Sequence, residues 1–384
     1  AHVVLPGPIE DGPYPTVVEY SAYDPSNPTG GGPAQPGSLI ANALGYAIVG
    51  VNIRGTGCSG GAFDLFETLL VLDGFDVIET VAAQPWVLHN EVGMVGLSYP
   101  GISQLFVAQS NPPHLNAITP LSVYADTATG VLAPGGLLNT GFATSWASNV
   151  LRNAEPYGTG WVRQLIDEGD TTCDANQQLR LQNVDAEAKA RANPFYTDEV
   201  AGPLDIREFA GDIEAAIFLA SGTGDEQTGP SFGDLLGEFD SAASVRTTFY
   251  NGLHADGFAP QIIAEWAAFL DLYVAKRVPD ISAGFRFLAP VLTQGIYGGP
   301  VNLPPNRWTD VATHEEALAR WESEPEIKVL FENGAGGDPG LPIATWEATG
   351  DEWPLAGTAA QRWWLSAEGG LGATPTDAPG TGVA

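Results

Sequence analysis

The chain has 384 residues, 15 of them basic and 46 acidic, for a formal net charge of −31. That acid surplus, with no Lys/Arg cluster, excludes nucleic acid and anionic membrane as partners. A composition 44% apolar and only 16% charged describes a large core and excludes wholesale disorder.

No apolar run approaches the ~18 residues of a membrane span; the best, 39–51, is broken by Asn42, Gly45 and Gly50. At ~150 residues per domain the length predicts two or three domains, or one domain with insertions. The 47 Gly and 30 Pro are spread through the chain, which predicts many tight turns and an α/β or β-rich protein. The chain opens Ala1-His2 without Met, so a processed or trimmed polypeptide is expected.

The first 125 residues alternate strands and helices. Strands are predicted at 16–20, 47–51, 92–97 and 117–121, and helices at 38–45, 66–83 and 102–110. This rhythm implies a mostly parallel sheet covered on both faces. It stops near Tyr124. The segment 125–205 is rich in Trp, Asn, Arg and Ala, with helices expected at 161–168 and 175–190, and reads as a helical insertion. The alternation resumes with strand 215–221, helix 232–243, strand 245–250 and helix 260–275. After Pro279, a helix at 308–323 and strands at 327–331 and 361–365 read as a separate β region, and the tail 369–384 as loose chain.

Cys58 and Cys173 are 115 positions apart. As a disulfide they would stabilise by ~4–5 kcal/mol on the chain-entropy model; the alternative is two buried thiols. With no His nearby they make no zinc site.

Gly96-Leu97-Ser98-Tyr99-Pro100-Gly101 lies where a buried strand turns directly into a helix, the setting of a nucleophile elbow. A strict G-x-S-x-G pattern also picks Ser59, but in a Gly-rich loop with no helix behind it. Of the five histidines, His254 follows the last strand of the alternating region, on the same sheet edge as Ser98. His89 and His114 precede their strands, His2 is terminal, and His314 opens a surface-type helix. Asp225 follows strand 215–221; Glu226 and Asp256 are rival carboxylates. A weak hydroxyl nucleophile needs a base, and the base an orienting carboxylate. The order Ser98, Asp225, His254 is that of α/β-hydrolases.

The chain resembles the cocaine esterase / NonD family of serine hydrolases, relatives of X-Pro dipeptidyl-peptidases and α-amino-acid ester hydrolases. The likeness is carried by residues 20–24, the run 52–61, Asp73, Asp76, Gln84-Pro85-Trp86, the run 92–101, Gly224-Asp225 and His254. It implies an α/β-hydrolase domain in two parts (1–124 and 206–280), a helical cap at 125–205, and at 281–384 a linker with the start of a β-sandwich (jelly roll), apparently truncated. It also implies an oxyanion hole made by the Tyr99 N–H and the Tyr23 hydroxyl, with Tyr20 as the alternative. Gln227 and Thr228 stand where α-amino-ester hydrolases carry acids for a substrate ammonium, which weakens that substrate class.

The resulting expectation is a serine hydrolase that cleaves small carboxylic esters through Ser98, with no metal and no cofactor. Trp146 and Trp161 of the cap are expected to form its pocket. The rivals are an amide-cleaving dipeptidyl-peptidase and a non-catalytic binding domain. An extracellular or secreted location is expected, and no oligomeric state is assigned.

Overall fold

The computed structural model describes residues 1–30, 33, 35–193, 195–331, 340–366 and 369–375, without the side chains of 151–153. Nine strands form one sheet: β1 (His2–Val4), β2 (Tyr14–Ser21), β3 (Ala47–Asn52), β4 (Val87–Leu97), β5 (Leu115–Leu121), β6 (Ala216–Gly222), β7 (Val245–Tyr250), β8 (Ile327–Phe331) and β9 (Trp346–Gly350). Their spatial order is β1-β3-β2-β4-β5-β6-β7-β8-β9. The pairs from β3 to β8 are parallel, and β1 and β9 close the two edges antiparallel.

The central strands read as continuous apolar runs because both faces are covered. Val18, Met94, Ile118 and Ile217 point to one side, where α2 (Thr68–Ala82) and α3 (Tyr99–Ala108) pack through Leu70, Ile78, Leu105 and Phe106. Their neighbours Val17, Val95, Ala117 and Phe218 point to the other side, as alternation along a strand requires. There they meet Ala41 of α1 (Pro36–Ala43) and Trp266, Phe269 and Leu270 of α8 (Pro260–Tyr273). Glu19 of β2 interrupts this pattern. It is 1% exposed and accepts a hydrogen bond from Ser38 of α1. Burial pushes its carboxyl up to about 8, against the opposing effect of that hydrogen bond.

Between β5 and β6 the chain forms α4 (Phe142–Asn153), α5 (Gly160–Asp167), α6 (Thr171–Gln177) and α7 (Ala186–Ala192). The two ends of this excursion meet: Asp126 and Asp205 form an antiparallel bridge, and the Ile206 N–H donates to Ala125 O at 2.8 Å. Cys58 and Cys173 are joined as a disulfide that ties α6 to the loop after β3.

Several expected elements differ. The helix at 232–243 is a 3-10 turn, Gly229–Leu235, because Gly233 weakens a helix and Gly237, at φ 84°, ends it. The helix at 175–190 is split into α6, a 3-10 turn and α7. Helices α4 and α9 (Ala283–Tyr297) are additional to those expected, and α10 (His314–Glu322) begins late, capped by the Thr313 side chain. Strand 327–331 belongs to the main sheet rather than a separate region: it pairs parallel with β7 after a crossover containing α8, α9 and α10. Of 361–365 only Trp364–Leu365 is strand, paired with Leu371–Gly372. The tail lies outside the described residues from 376 onward.

Candidate active site

Tyr23, Ser98, Asp225 and His254 all follow the carboxyl ends of sheet strands (β2, β4, β6 and β7), so one rim collects them. Ser98 sits between β4 and α3 at φ 68°, ψ −131°. A non-glycine residue in that region is strained, and such strain persists only where surrounding structure imposes it. The imposition is visible in two glycines. A Cβ at Gly96 would come within 2.6 Å of Pro100, and one at Gly101 within 2.7 Å of the Leu121 carbonyl oxygen. The second close approach therefore falls at position 101, and Pro100 is accommodated at the fifth place of the motif. The Ser98 N–H donates to Leu121 O at 2.8 Å, which fixes the turn to β5.

Asp225 and His254 are in direct contact, Oδ2 to Nδ1 at 2.7 Å. The Asp225 side chain is fully buried and that of His254 is 8% exposed. Burial alone would raise the carboxyl's pKa. The hydrogen bond and charge of His254, together with the Thr228 N–H and hydroxyl, outweigh burial and hold it below the usual carboxylate range. The Gln227 N–H also donates to Asp225 Oδ1 at 2.8 Å. The rival acids have other duties: Glu226 accepts from the His254 backbone N–H, and Asp256 from that of Leu253.

The His254 turn is held over the elbow. The Ser122 hydroxyl donates to His254 O at 2.8 Å and lies 2.8 Å from the Tyr250 hydroxyl. A Cβ on Gly257 would come within 2.7 Å of Leu97. His254 Nε2 is buried and makes no hydrogen bond among the described residues. Ser98 stands close enough to the Tyr23 hydroxyl to lower its pKa. The structure thus joins Asp225 to His254 and sets Ser98 near Tyr23, and among the described residues it shows no Ser98–His254 hydrogen bond. Catalytic hydrogen bonds are often slack before substrate binds.

Tyr23 is set from three directions. Its carbonyl accepts from Gln35, its N–H donates to Ser21 Oγ, and its hydroxyl accepts the indole N–H of Trp146 at 2.5 Å. Burial raises its pKa, opposed by the Trp146 hydrogen bond and by nearby Ser98, so the phenol stays protonated. The Tyr99 N–H belongs to the first turn of α3, where helix geometry leaves donors unpaired. Tyr20 is ruled out as the phenol donor, because its hydroxyl donates to Leu70 O. Ser59 donates to Asn52 O at 2.6 Å, so its hydroxyl is spent within its own loop.

A cavity of about 460 Å³ opens beside Ser98, lined by Ile102, Tyr124, Val131, Trp146, Leu204 and Thr228 among others. Trp146 is in the expected place. Trp161 is not in the lining; its ring packs 3.1 Å from a Cβ position at Gly57, in the Cys58 loop. Ser122, which supports the His254 turn, carries no motif that would have marked it, and Thr228, noted only for an absent acid, instead supports Asp225. Among the described residues no cluster of three or more His, Cys, Asp or Glu side chains is placed to hold a metal ion.

A largely parallel sheet, a strained serine at a strand–helix elbow, an Asp–His pair on later loops of the same rim and a helical excursion beside them define the α/β-hydrolase fold. The chain belongs to the X-Pro dipeptidyl-peptidase (S15) family, whose profile matches residues 1–254.

It is 28% identical over 178 residues to a serine esterase candidate of Mycobacterium bovis, covering 45% of this chain and 27% of that protein. It is 28% identical over 199 residues to a cocaine esterase of Rhodococcus sp., covering 51% of this chain and 33% of that protein. The matched stretch therefore spans about a third or less of these relatives' length. A CocE/NonD family hydrolase from Staphylococcus aureus superposes with a TM-score of 0.63 at 18% identity, over 93% of this chain and 54% of that one. An α-amino acid ester hydrolase gives 0.59 at 14% identity, over 98% and 60%. The resemblance read from the sequence is borne out in family and in fold.

Proposed function

We propose that the chain carries the catalytic domain of a serine hydrolase that cleaves small carboxylic esters through an acyl-enzyme on Ser98. The buried Asp225–His254 contact on the rim that holds the strained serine carries this reading. On substrate binding the Ser98 hydroxyl turns to His254 Nε2, which takes its proton as Oγ attacks the carbonyl. Asp225 keeps the Nδ1–H tautomer and stabilises the imidazolium. The Tyr99 N–H and Tyr23 hydroxyl receive the oxyanion. The imidazolium then protonates the leaving alcohol, and a water repeats the sequence to release the acid.

Labelling with a fluorophosphonate probe followed by peptide mapping tests the nucleophile: the adduct is expected on Ser98. Ser98→Ala should abolish it and lower kcat by ~10⁶, the scale of nucleophile loss in serine proteases. An adduct on another serine, or none, overturns the reading.

Family membership favours a second reading, cleavage of Xaa-Pro amides. Rates on p-nitrophenyl esters against Xaa-Pro p-nitroanilides decide between them. We also propose an oxidising, extracellular setting, supported by the Cys58–Cys173 disulfide; thiol labelling of the protein from fractionated cells would show free cysteines if the proposal fails.

A further inference from the structure

The cavity beside Ser98 is mostly apolar, with hydroxyls such as Thr127 and Thr228 in its walls, and its charged lining residues are Asp64, Glu187 and Lys189. Both acids there are matched by a base. Lys189 Nζ donates to Asp64 Oδ2 at 2.7 Å. Arg191, one helical turn after Glu187, donates from two nitrogens to Glu187 Oε1 at 2.9 and 2.6 Å. Such matching is not automatic in this molecule, where 46 acidic residues share 15 basic ones. Lys189, one of three lysines in the chain, comes from α7, while Asp64 lies in the loop after β3. The second oxygen of Asp64 accepts the Leu65 N–H at 2.8 Å, so the carboxylate is held on both sides.

We infer that Lys189 is a specificity-determining residue: by neutralising Asp64 it makes the cavity accept uncharged apolar or aromatic acyl groups and reject those carrying an ammonium. The inference rests on the esterase reading above. An ammonium arriving at this wall would have to displace Lys189 and lose its own hydration, exchanging one ion pair for another without gain. A neutral aryl or alkyl acyl group loses only water along apolar walls. Without Lys189, Asp64 becomes an unmatched anion on an apolar wall and favours cationic acyl groups. Without the Asp64 charge, Lys189 favours anionic ones.

The test uses three p-nitrophenyl esters of similar shape: 4-methylbenzoate, 4-(aminomethyl)benzoate and 4-carboxybenzoate. The native enzyme should prefer the neutral ester by kcat/KM. Lys189→Met should raise the cationic-to-neutral ratio about tenfold, and Asp64→Asn the anionic-to-neutral ratio by a similar factor. If both variants shift all three esters together, the pair only ties α7 to the loop and the inference is overturned. It is equally overturned if the native enzyme prefers the ammonium ester. Failure of the esterase reading looks different: no turnover of any ester and no fluorophosphonate adduct on Ser98.

Discussion

The indole N–H of Trp146, on a helix of the excursion, donates to the Tyr23 hydroxyl across 2.5 Å, and that hydroxyl stands beside Ser98. An accepted hydrogen bond polarises the phenol and aims its own O–H toward the reacting centre. Tyr23→Phe should cost about 3–4 kcal/mol of transition-state stabilisation, the range for one oxyanion donor. Trp146→Phe keeps an aromatic ring and removes the N–H. It should lower kcat by roughly tenfold, about one hydrogen bond's worth, with a smaller change in KM. In the Tyr23→Phe background the same change should do almost nothing to kcat. Additive losses in the double variant would show that Trp146 acts by packing alone.

The tautomer of His254 depends on Asp225. Asp225→Asn preserves shape but presents an amide N–H toward Nδ1 in place of an acceptor. A fall in kcat of about 10⁴ is expected, as for the same exchange in serine proteases. Circular dichroism and thermal melting close to the parent protein would confine the loss to chemistry. Near-normal turnover in the D225N variant would transfer the orienting role elsewhere.

Glu19 gives a pH dependence of stability that no active-site group would mimic. Its carboxyl moves from an ordinary value of 4.5 to about 8 in the fold. Below the ordinary value both folded and unfolded chains hold the proton, and the contribution is intact. As pH rises toward 8 the unfolded chain ionises while the folded one resists. Stability is therefore lost across that window, at roughly 1.4 kcal/mol for each pH unit separating the two titrations. Glu19→Gln should melt increasingly above the parent protein as pH rises from the ordinary carboxylate range to about 8. Parallel melting curves across that range would refute the burial argument.

The Cys58–Cys173 link closes a loop of 115 positions. Replacing both cysteines by serine should destabilise the protein by about 2–5 kcal/mol. Limited proteolysis should then cut first within 154–193, where the disulfide is the covalent tether. Unchanged denaturant midpoints would mean the packing of α6 and the Arg180 hydrogen bonds to Gly57 O and Ser59 O already suffice.

The sequence is most legible where strands are buried on both faces. Residues 47–51 and 92–97 can only be interior strands, and the small residues around Ser98 mark an elbow because any Cβ there collides. Legibility fails where contacts are long-range or local pattern is mixed. Helix α4 mixes Thr, Ser, Asn and Arg with its apolar residues, so no clean stripe announces it, and with it the 123-residue link from Trp146 to Tyr23 stays hidden. Strand β8 is separated from its partner β7 by three helices, so its sequence distance suggests another domain. Ser122 is a polar residue of no motif, revealed only by its bond to His254 O, and the motif position of Thr228 pointed to substrate charge rather than to its bond with Asp225.

The bridge between Asp126 and Asp205 has a consequence for how such enzymes diversify. Because the chain leaves and re-enters the sheet at neighbouring points, the excursion can vary in length without moving the strands, while its side chains reach the frame through Trp146, Lys189 and the Cys58–Cys173 link. The excursion supplies Trp146, Glu187 and Lys189, while Ser98, Asp225 and His254 stay on the frame. On the proposed reading, exchanging this one stretch of chain would change what lines the cavity while leaving Ser98, Asp225 and His254 in place.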